Sequence, residues 1–331
     1  MRRTNGRTTR FPDATNQAST ARFAADVQYY LALSPRQLPS RYFYDELGSA
    51  LFEAICRLPW YGLTRAESRL LAAHGSDIFR RLASVTTIVE LGSGSGDKMR
   101  MLIEAADPPQ PSLTVHLVDV SRSALEASAR MLRSLPNVDV VTHEAPYERG
   151  LGEATAETHP ATRTLVLFLG SNLGNFDRPG AEAFLHSVRA HLAEGDALLL
   201  GTDLVKPDRE LLLAYDDPLG VTSAFNRNLL ARINRELDGT FDLDQFAHRA
   251  TWNADESRVE MHLVAQSAQE IHIERAQLDF RMEPAELIWT ESSYKYRPHD
   301  VVDRLASAGF RFVAQWIDRA DPFALTLVEA E

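Results

Sequence analysis

Short apolar segments recur through the middle of the chain and alternate with segments of helical periodicity. The apolar segments fall at residues 87–91, 113–118, 138–141, 164–169 and 197–201. They do not alternate apolar with polar residues, so both faces of each strand are expected to be buried. Strands that are separated by helices in this way predict an α/β fold with a parallel sheet covered on both sides.

The C-terminal third of the chain departs from this rhythm twice. Residues 309–316 and 323–328 predict two strands with a short connection, which favours an antiparallel hairpin at the sheet edge. Residues 205–295 combine helical patterns with alternating segments at 258–264 and 270–273. We therefore expect an inserted second region there rather than a further strand–helix unit.

The N-terminal part of the chain begins without a periodic pattern. Residues 1–20 are polar and predict a disordered tail, and helical periodicity begins near Ala21. Further along, Thr64 and Glu67 have the spacing of a capping box. In this motif the threonine side chain accepts from the backbone N–H of the glutamate, and the glutamate side chain accepts from the backbone N–H of the threonine. This pattern predicts a helix that begins at Thr64.

Charge and composition exclude several classes of protein. The 331 residues include 35 basic and 46 acidic side chains, a formal net charge of −11, so nucleic-acid binding is not expected as the main function. No apolar run approaches the roughly 20 residues of a membrane helix. The single cysteine, Cys56, excludes an internal disulfide framework and suits a reducing, cytoplasmic compartment. The histidines lack metal-site spacing, and nothing implies an obligate protein partner.

A glycine-rich loop follows the first predicted strand. Gly92, Gly94 and Gly96 form this loop, and Asp119 ends the next strand. Glycines at a strand end let a ligand approach the backbone, and the acid suits hydrogen bonds to a ribose. A dinucleotide fingerprint would place its third glycine one residue later, where an aspartate stands. The spacing resembles the ExGxGxG loop of methyltransferases that use S-adenosylmethionine; the alternative is a turn that binds no ligand.

Three further polar features lie near predicted strand ends. Lys98, just beyond the glycine loop, is either a solvated helix residue or a partner for a cofactor carboxylate. Asn172 and Asn175 stand in the glycine-containing segment after the fourth strand and either bind a polar substrate or satisfy a turn. Glu291 and Ser293 share one face of an extended segment, where a carboxylate beside a hydroxyl can bind an imidazole or an ammonium group. The alternative there is a solvated edge strand.

Taken together, several motifs resemble the histidine-specific Nα-methyltransferases of ergothioneine biosynthesis. They are SRYFYDELGS from residue 40, LTRAE from 63, the glycine loop with Lys98, LGSNLGNF from 169, LLLAYDDPLGVTSAFNRNLL from 211 and TESSYKY from 290. The resemblance implies a Rossmann-like class I methyltransferase fold with a discontinuous second α+β domain that binds the substrate. The substrate-binding domain would comprise residues 21–65 and 205–295, and the methyltransferase domain would comprise residues 66–204 and 296–331.

The resemblance also implies roles for individual residues. The residues expected to contact the cofactor are Gly92, Lys98, Asp119, Pro146, Tyr147 and Gly170. The residues expected to bind the amino acid are Phe52, Tyr61, Asn175, Tyr215, Met261, Glu291 and Ser293. Among them, Asn175 and Tyr215 would hold the amine and carboxylate, Glu291 and Ser293 would hold the imidazole, and Asn175 and Tyr44 would be the catalytic residues. Where the family usually offers adenine an acid and then an aromatic residue, this chain reads Ala145-Pro146-Tyr147, without the acid.

The function that this resemblance implies is trimethylation of the α-amino nitrogen of free L-histidine to hercynine, with S-adenosylmethionine as methyl donor and no metal. Two alternatives stay open. One is a methyltransferase of the same fold that acts on another free amino acid, and the other is a non-catalytic nucleoside-binding module. An NAD-dependent enzyme is disfavoured by the spacing of the glycine loop.

Overall fold

The computed structural model describes residues 14–82, 84–106, 112–156 and 163–331. The helices are α1 (Ala14–Leu31), α2 (Glu46–Cys56), α3 (Gly62–Arg81), α4 (Asp97–Glu104), α5 (Arg122–Leu132), α6 (Tyr147–Ala156), α7 (Arg178–Ala190), α8 (Asp208–Tyr215), α9 (Val221–Leu237) and α10 (Pro298–Ser307). The strands are β1 (Arg36–Gln37), β2 (Val85–Leu91), β3 (Leu113–Asp119), β4 (Val138–Glu144), β5 (Arg163–Phe168), β6 (Ala197–Asp203), β7 (Phe246–Asn253), β8 (Arg258–Ala265), β9 (Gln269–Ile273), β10 (Leu278–Met282), β11 (Leu287–Tyr294), β12 (Phe310–Asp318) and β13 (Phe323–Ala330).

A seven-stranded sheet forms the larger layer, in the order β4-β3-β2-β5-β6-β13-β12. Strands β2 to β6 run parallel to their neighbours, whereas β13 is antiparallel to both β6 and β12. The five predicted parallel strands and the C-terminal hairpin are therefore confirmed. Because the strand order reverses at β2, the carboxyl ends of β2 and β5 flank the crevice where open α/β sheets bind their ligands.

Both faces of this sheet are buried, as the uninterrupted apolar strands predict. Every residue of β6 is buried, and on β2 the side chain of Ile88 packs in one apolar cluster while Val89 and Leu91 pack in another on the opposite face. Glu90 lies between these residues and is only 2% exposed. The sheet core therefore contains one acid directly before the glycine loop.

A second sheet has the order β1-β11-β8-β7, and β9 pairs with β10 in a separate hairpin. Its strands come from the two segments that the sequence assigns to substrate binding. Within it, β11 lies between β1 and β8, and Ser293, the penultimate residue of β11, is 3% exposed. The interpretation of this segment as a solvated edge strand is therefore wrong.

The N-terminal helices differ from the sequence-based predictions. The first helix begins at Ala14, earlier than the pattern near Ala21 predicts, and residues 1–13 of the expected tail lie outside the described residues. The capping box is wrong, because α3 begins at Gly62 and Thr64 lies inside it. The side chain of Glu67 is fully buried and points to the sheet rather than back to the helix terminus. The expected domain boundary after residue 65 falls within this continuous helix.

Candidate active site

The glycine loop leaves β2 at its carboxyl end and leads into α4. Gly92, Gly94 and Gly96 all have positive φ angles, of 81°, 50° and 77°. These are left-handed conformations that other residues adopt only with strain. Asp119, at the end of β3, accepts hydrogen bonds from the amides of Gly94, at 3.2 Å, and Ser121, at 2.8 Å. The carboxylate that was predicted to bind a ribose therefore also fixes the loop.

The surroundings of the loop fit a polar ligand. A β-carbon added at Gly94 would meet no atom within 4 Å, so the loop faces open space at this point. In the described part of the chain, the hydroxyl of Ser93 and one carboxylate oxygen of Glu90 are buried without a hydrogen-bond partner. Burial raises the pKa of Glu90 to about 8. Orphaned polar atoms of this kind in a cradle of glycines are what a nucleoside cofactor with a charged amino-acid end would satisfy.

Lys98 and Gly170 both contact Glu67, a residue of the site that sequence reasoning missed. Lys98 Nζ lies 2.5 Å from Glu67 Oε2, and the Gly170 amide donates to Glu67 Oε1 at 2.8 Å. Burial disfavours the Lys98 ammonium, but the charge of Glu67 outweighs that effect and raises the pKa of Lys98. The interpretation of Lys98 as a solvated residue is therefore wrong. Glu67 is the last residue of the LTRAE motif, so the motif pointed to it, but the capping-box interpretation gave this glutamate a purely structural role.

Tyr147 stands on the other side of the loop, at the start of α6. Its hydroxyl lies 3.2 Å from the position that a β-carbon on Gly92 would occupy. Its ring packs edge-on against Phe168 and Phe184, with centroids 5.3 and 6.1 Å away. Pro146 precedes it and is exposed. The fold thus gathers the residues that were predicted to contact the cofactor at the carboxyl ends of β2 to β5.

A cavity that is partly open to solvent lies next to this crevice. It is lined by all eight residues that were predicted to bind or transform the amino acid: Tyr44, Phe52, Tyr61, Asn175, Tyr215, Met261, Glu291 and Ser293. These side chains come from seven separate segments of the chain, three of them before α4 and the others after β5. The placement brings the predicted residues together, and their individual roles remain predictions.

Gly170 and Asn172 join the cavity to the glycine loop. Both line the cavity, and the Asn172 side-chain nitrogen lies 3.2 Å from the β-carbon position at Gly92. Asn172 belongs to the LGSNLGNF motif, but only Gly170 and Asn175 of that motif were assigned individual roles. Other lining residues that were not predicted are Ile55, Leu63, Ser171, Ala214, Thr222 and Phe225.

The strand geometry of β11 explains how Glu291 and Ser293 reach the cavity together. A register shift between Trp289 and Glu291 interrupts the pairing with β8, and the Trp289 indole donates to the Glu291 carbonyl at 2.8 Å. Beyond this bulge the strand is regular, so residues two apart share a face. Burial raises the pKa of Glu291 to about 7, although the nearby charge of Lys295 opposes this shift.

Lys295 is a second residue that sequence reasoning missed. Its side chain is fully buried behind the cavity wall, and its Nζ donates to the hydroxyls of Tyr215, at 2.8 Å, and Ser293, at 3.0 Å. It also forms an ion pair with Asp203 at 2.9 Å. Burial disfavours the ammonium, but Asp203 and Tyr215 outweigh this and raise the pKa of Lys295. The signal for it was the TESSYKY motif, in which only the glutamate and the second serine were assigned.

The described residues contain neither a membrane-spanning helix nor a cluster of metal-binding side chains. No helix there is long and apolar enough to cross a membrane. Among the same residues, no group of three or more histidine, cysteine, aspartate or glutamate side chains is arranged to hold a metal ion.

Comparison with known proteins agrees with this geometry. Histidine N-alpha-methyltransferase from Mycolicibacterium smegmatis is 42% identical over 303 residues, which is 91% of this chain and 93% of that protein. Ergothioneine biosynthesis protein 1 from Schizosaccharomyces pombe is 28% identical and covers 85% of this chain, which spans 37% of that longer protein. A 4-dimethylallyltryptophan N-methyltransferase from Trichophyton verrucosum is 27% identical and covers 88% of both chains.

The match to a protein family extends over nearly the whole chain. The family model described as "Histidine-specific methyltransferase, SAM-dependent" matches residues 23–330. This range includes the seven-stranded sheet, the second sheet and every residue of the cavity. With its Rossmann-like class I methyltransferase fold, this chain belongs to the family of histidine-specific, S-adenosylmethionine-dependent methyltransferases.

Proposed function

We propose that this protein transfers methyl groups from S-adenosylmethionine to the α-amino nitrogen of free L-histidine, and that three transfers give hercynine for ergothioneine biosynthesis. The observation that carries the proposal is the cavity in which Glu291 and Ser293 share one wall while Asn172 borders the glycine loop. The relative from Mycolicibacterium smegmatis, which bears the name of this activity, supports the same substrate.

Recognition of the imidazole ring is assigned to Glu291 and Ser293. A neutral imidazole has one N–H donor and one acceptor nitrogen. The Glu291 carboxylate would accept from the N–H, and the Ser293 hydroxyl would donate to the other nitrogen. Aromatic side chains line the cavity as well, with Tyr44 and Phe52 in edge-on contact at 5.5 Å and Phe225 lying 5.9 Å from Phe52. A cavity that combines aromatic residues with an acceptor and a donor favours a flat, polar ring over an aliphatic side chain.

The α-amino and carboxylate groups are assigned to Asn175, Tyr61 and Tyr215, which line the same cavity. Asn175 ends the short helical turn that begins at Asn172, and the Tyr215 hydroxyl lies 2.7 Å from Ser293 Oγ. Burial raises the pKa values of Tyr44 and Tyr61 well above their usual range, so both hydroxyls stay protonated. They would act as hydrogen-bonding groups and not as bases at neutral pH.

Catalysis would rest mainly on alignment. When bound, S-adenosylmethionine supplies an electrophilic methyl group on a sulfonium centre. Gly92, Asp119 and Lys98 would hold the cofactor on one side of Asn172, and Asn175 would hold the amine, as a neutral nucleophile, on the other. Fixing donor and acceptor in line removes much of the entropic barrier to displacement. Each transfer would break the sulfur–methyl bond and leave a cation at nitrogen, which the Asn175 carbonyl and the tyrosine oxygens would stabilise. After the first and second transfers this cation would lose a proton to solvent, which restores the neutral nucleophile, and the third transfer would leave a quaternary ammonium group.

Methylation of another free amino acid is the second candidate function. The relative from Trichophyton verrucosum, which bears the name of a 4-dimethylallyltryptophan N-methyltransferase, favours it. The two candidates differ at the cavity wall, because a larger apolar side chain would leave Glu291 buried without a partner. Burial of an unpaired carboxylate is costly, so the presence of Glu291 favours histidine.

The setting in which the enzyme works is also part of the proposal. We infer a cytoplasmic enzyme from its single cysteine and from its small soluble substrates. We propose that free L-histidine and S-adenosylmethionine suffice for turnover, without a metal, a nucleic acid, a membrane or a partner protein.

The decisive experiment is incubation of the purified protein with S-adenosylmethionine and each of the twenty free amino acids, followed by mass spectrometry. We expect a gain of three methyl groups on histidine alone. A gain on another amino acid in place of histidine would support the second candidate. Cofactor binding by calorimetry with no methylation of any amino acid would support a non-catalytic module.

A further inference from the structure

A buried ammonium group stands directly behind two hydroxyls of the cavity wall. Lys295 Nζ lies 2.8 Å from the Tyr215 hydroxyl and 3.0 Å from Ser293 Oγ, and Asp203 Oδ2 lies 2.9 Å away on its far side. An ammonium group has three hydrogens and no acceptor. These three contacts therefore use all its hydrogens, and Lys295 itself is not part of the cavity lining.

The arrangement fixes what the two hydroxyls can offer to a ligand. The Tyr215 and Ser293 oxygens lie 2.7 Å apart, so one hydroxyl donates to the other. Because each oxygen already accepts from Lys295, the pair can present one hydrogen to the cavity, or two if a ligand breaks the bond between them. Neither hydroxyl hydrogen can therefore point toward Lys295, and the one that is not used between the two hydroxyls is available to the bound amino acid.

We propose that Lys295 is a positioning residue that makes the hydroxyls of Tyr215 and Ser293 hydrogen-bond donors toward the bound amino acid, and that it thereby selects a ring with a bare acceptor nitrogen. This inference rests on the proposed function, since it concerns how the same cavity recognises histidine. Lys295 would then be a determinant of specificity that does not contact the substrate.

The physical basis is cooperative polarisation. A hydroxyl that accepts from an ammonium group becomes a stronger donor, and a dry surrounding strengthens each bond of the chain. The Lys295 side chain also covers the Tyr215 ring at 4.7 Å, which holds the phenol in place. Without the ammonium, each hydroxyl regains a lone pair and can rotate, so the wall no longer distinguishes an acceptor nitrogen from an apolar ring edge.

Lys206 offers a matched control. Its Nζ lies 2.7 Å from the other oxygen of the same aspartate, Asp203, but it contacts neither Tyr215 nor Ser293. Either lysine can be replaced by methionine while Asp203 keeps one cationic partner. A purely structural effect transmitted through Asp203 would therefore appear in both variants.

The test compares Lys295→Met with Lys206→Met on two substrates, histidine and 3-(2-thienyl)alanine, whose ring has a similar size but no nitrogen. In Lys295→Met we expect the preference for histidine, measured as the ratio of kcat/KM values, to fall by about tenfold to a hundredfold. The fall should arise mainly from a higher KM for histidine, with the Kd of S-adenosylmethionine unchanged. In Lys206→Met the ratio should stay within about threefold of the wild-type value.

Equal losses on both substrates, or equal changes in the two variants, would overturn the proposal. If Lys295→Met does not fold, the double variant Asp203→Asn/Lys295→Met, which removes both buried charges, is compared with Asp203→Asn by the same ratio. Failure of the proposed function looks different, because the wild-type protein would then not methylate histidine at all. In that case the KM of each variant for the amino acid that is methylated decides whether Lys295 positions the two hydroxyls.

Discussion

The two halves of the site are built in different ways. The cofactor half consists largely of backbone at the carboxyl ends of neighbouring parallel strands, where Gly92, Gly94 and Asp119 lie within two consecutive strand–helix units. The amino-acid half consists of side chains, and it combines Tyr44 and Tyr61 from the first fifth of the chain with residues as distant as Glu291.

Because of this difference, the two halves should tolerate side-chain substitutions to different degrees. A half built from glycines and strand ends depends on backbone conformation, so changing one side chain there leaves most contacts in place. A half built from converging side chains presents a particular pattern of donors and acceptors, and a single substitution changes that pattern. We therefore expect the halves to respond independently to mutation, except where one residue contacts both.

The largest effect on histidine turnover is expected from Glu291→Ala. It removes the acceptor for the imidazole N–H, so kcat/KM for histidine should fall about 100-fold through KM, the loss expected for one hydrogen bond to a charged group. The Kd of S-adenosylmethionine should not change. Ser292→Ala, on the opposite face of β11, is the control for strand stability. Histidine turnover within twofold of wild type would show that Glu291 does not bind the ring.

The converse experiment is Asp119→Ala. Loss of the ribose hydrogen bonds should weaken S-adenosylmethionine binding by roughly 10- to 150-fold, measured by calorimetry. The KM for histidine at saturating cofactor should stay near the wild-type value. Asp139→Ala, which removes an exposed acid from the neighbouring strand β4, controls for net charge. A rise in the histidine KM as large as the loss of cofactor affinity would contradict the independence of the halves.

The buried carboxyl group of the amino-acid half should make the ligand-free protein sensitive to pH. With a pKa of about 7, Glu291 keeps its proton in the ligand-free folded protein below about pH 7, whereas in the unfolded chain it ionises near 4.5. The folded state therefore binds more protons between these values, and stability falls as pH rises from about 4.5 to about 7.

The expected contribution of Glu291 to this fall is about 2–3 kcal/mol in the free energy of unfolding. Glu90 acts in the same direction up to about pH 8, so the quantity to measure is the difference between wild type and Glu291→Gln in urea unfolding at several pH values. Parallel curves for the two proteins would show that Glu291 is not protonated in the fold.

Substitution of Glu67 should affect both halves of the site, because its side chain contacts Lys98 in the cofactor half and the Gly170 amide next to the amino-acid half. Glu67→Ala should raise the cofactor Kd and the histidine KM together, each about tenfold, the loss expected for one charge-assisted hydrogen bond. Glu67→Gln keeps an acceptor for Gly170 and should restore the histidine KM more than the cofactor Kd. A change in only one of the two constants in Glu67→Ala would contradict this link.

The smallest effect is expected from Tyr147→Ala. If its ring stacks on the adenine, the loss is about 1 kcal/mol, or roughly fivefold in cofactor Kd. Tyr147→Phe keeps the ring and should bind the cofactor as the wild type does. Equal affinity in all three proteins would place the base elsewhere, whereas a changed histidine KM would mean that Tyr147 also shapes the cavity.

The sequence by itself determined the sheet and the cofactor half. Continuous apolar strands can be buried only in a covered parallel sheet, and the loop from Gly92 to Gly96 lies next to Asp119 because consecutive parallel strands end at the same edge. The motifs of the family also named the eight residues of the cavity, although their convergence is visible only in the fold.

Tertiary structure alone decided the roles of Glu67 and Lys295. Locally, Glu67 fits a capping box and Lys295 is a lysine at a strand end, where most lysines are solvated. Both are buried because partners elsewhere in the fold neutralise or satisfy them: Lys98 and Gly170 for the glutamate, and Asp203 and Tyr215, together with the neighbouring Ser293, for the lysine. A buried charge is stable only when its partners are in place, and hydrophobic periodicity carries no information about contacts that span 31 to 103 residues.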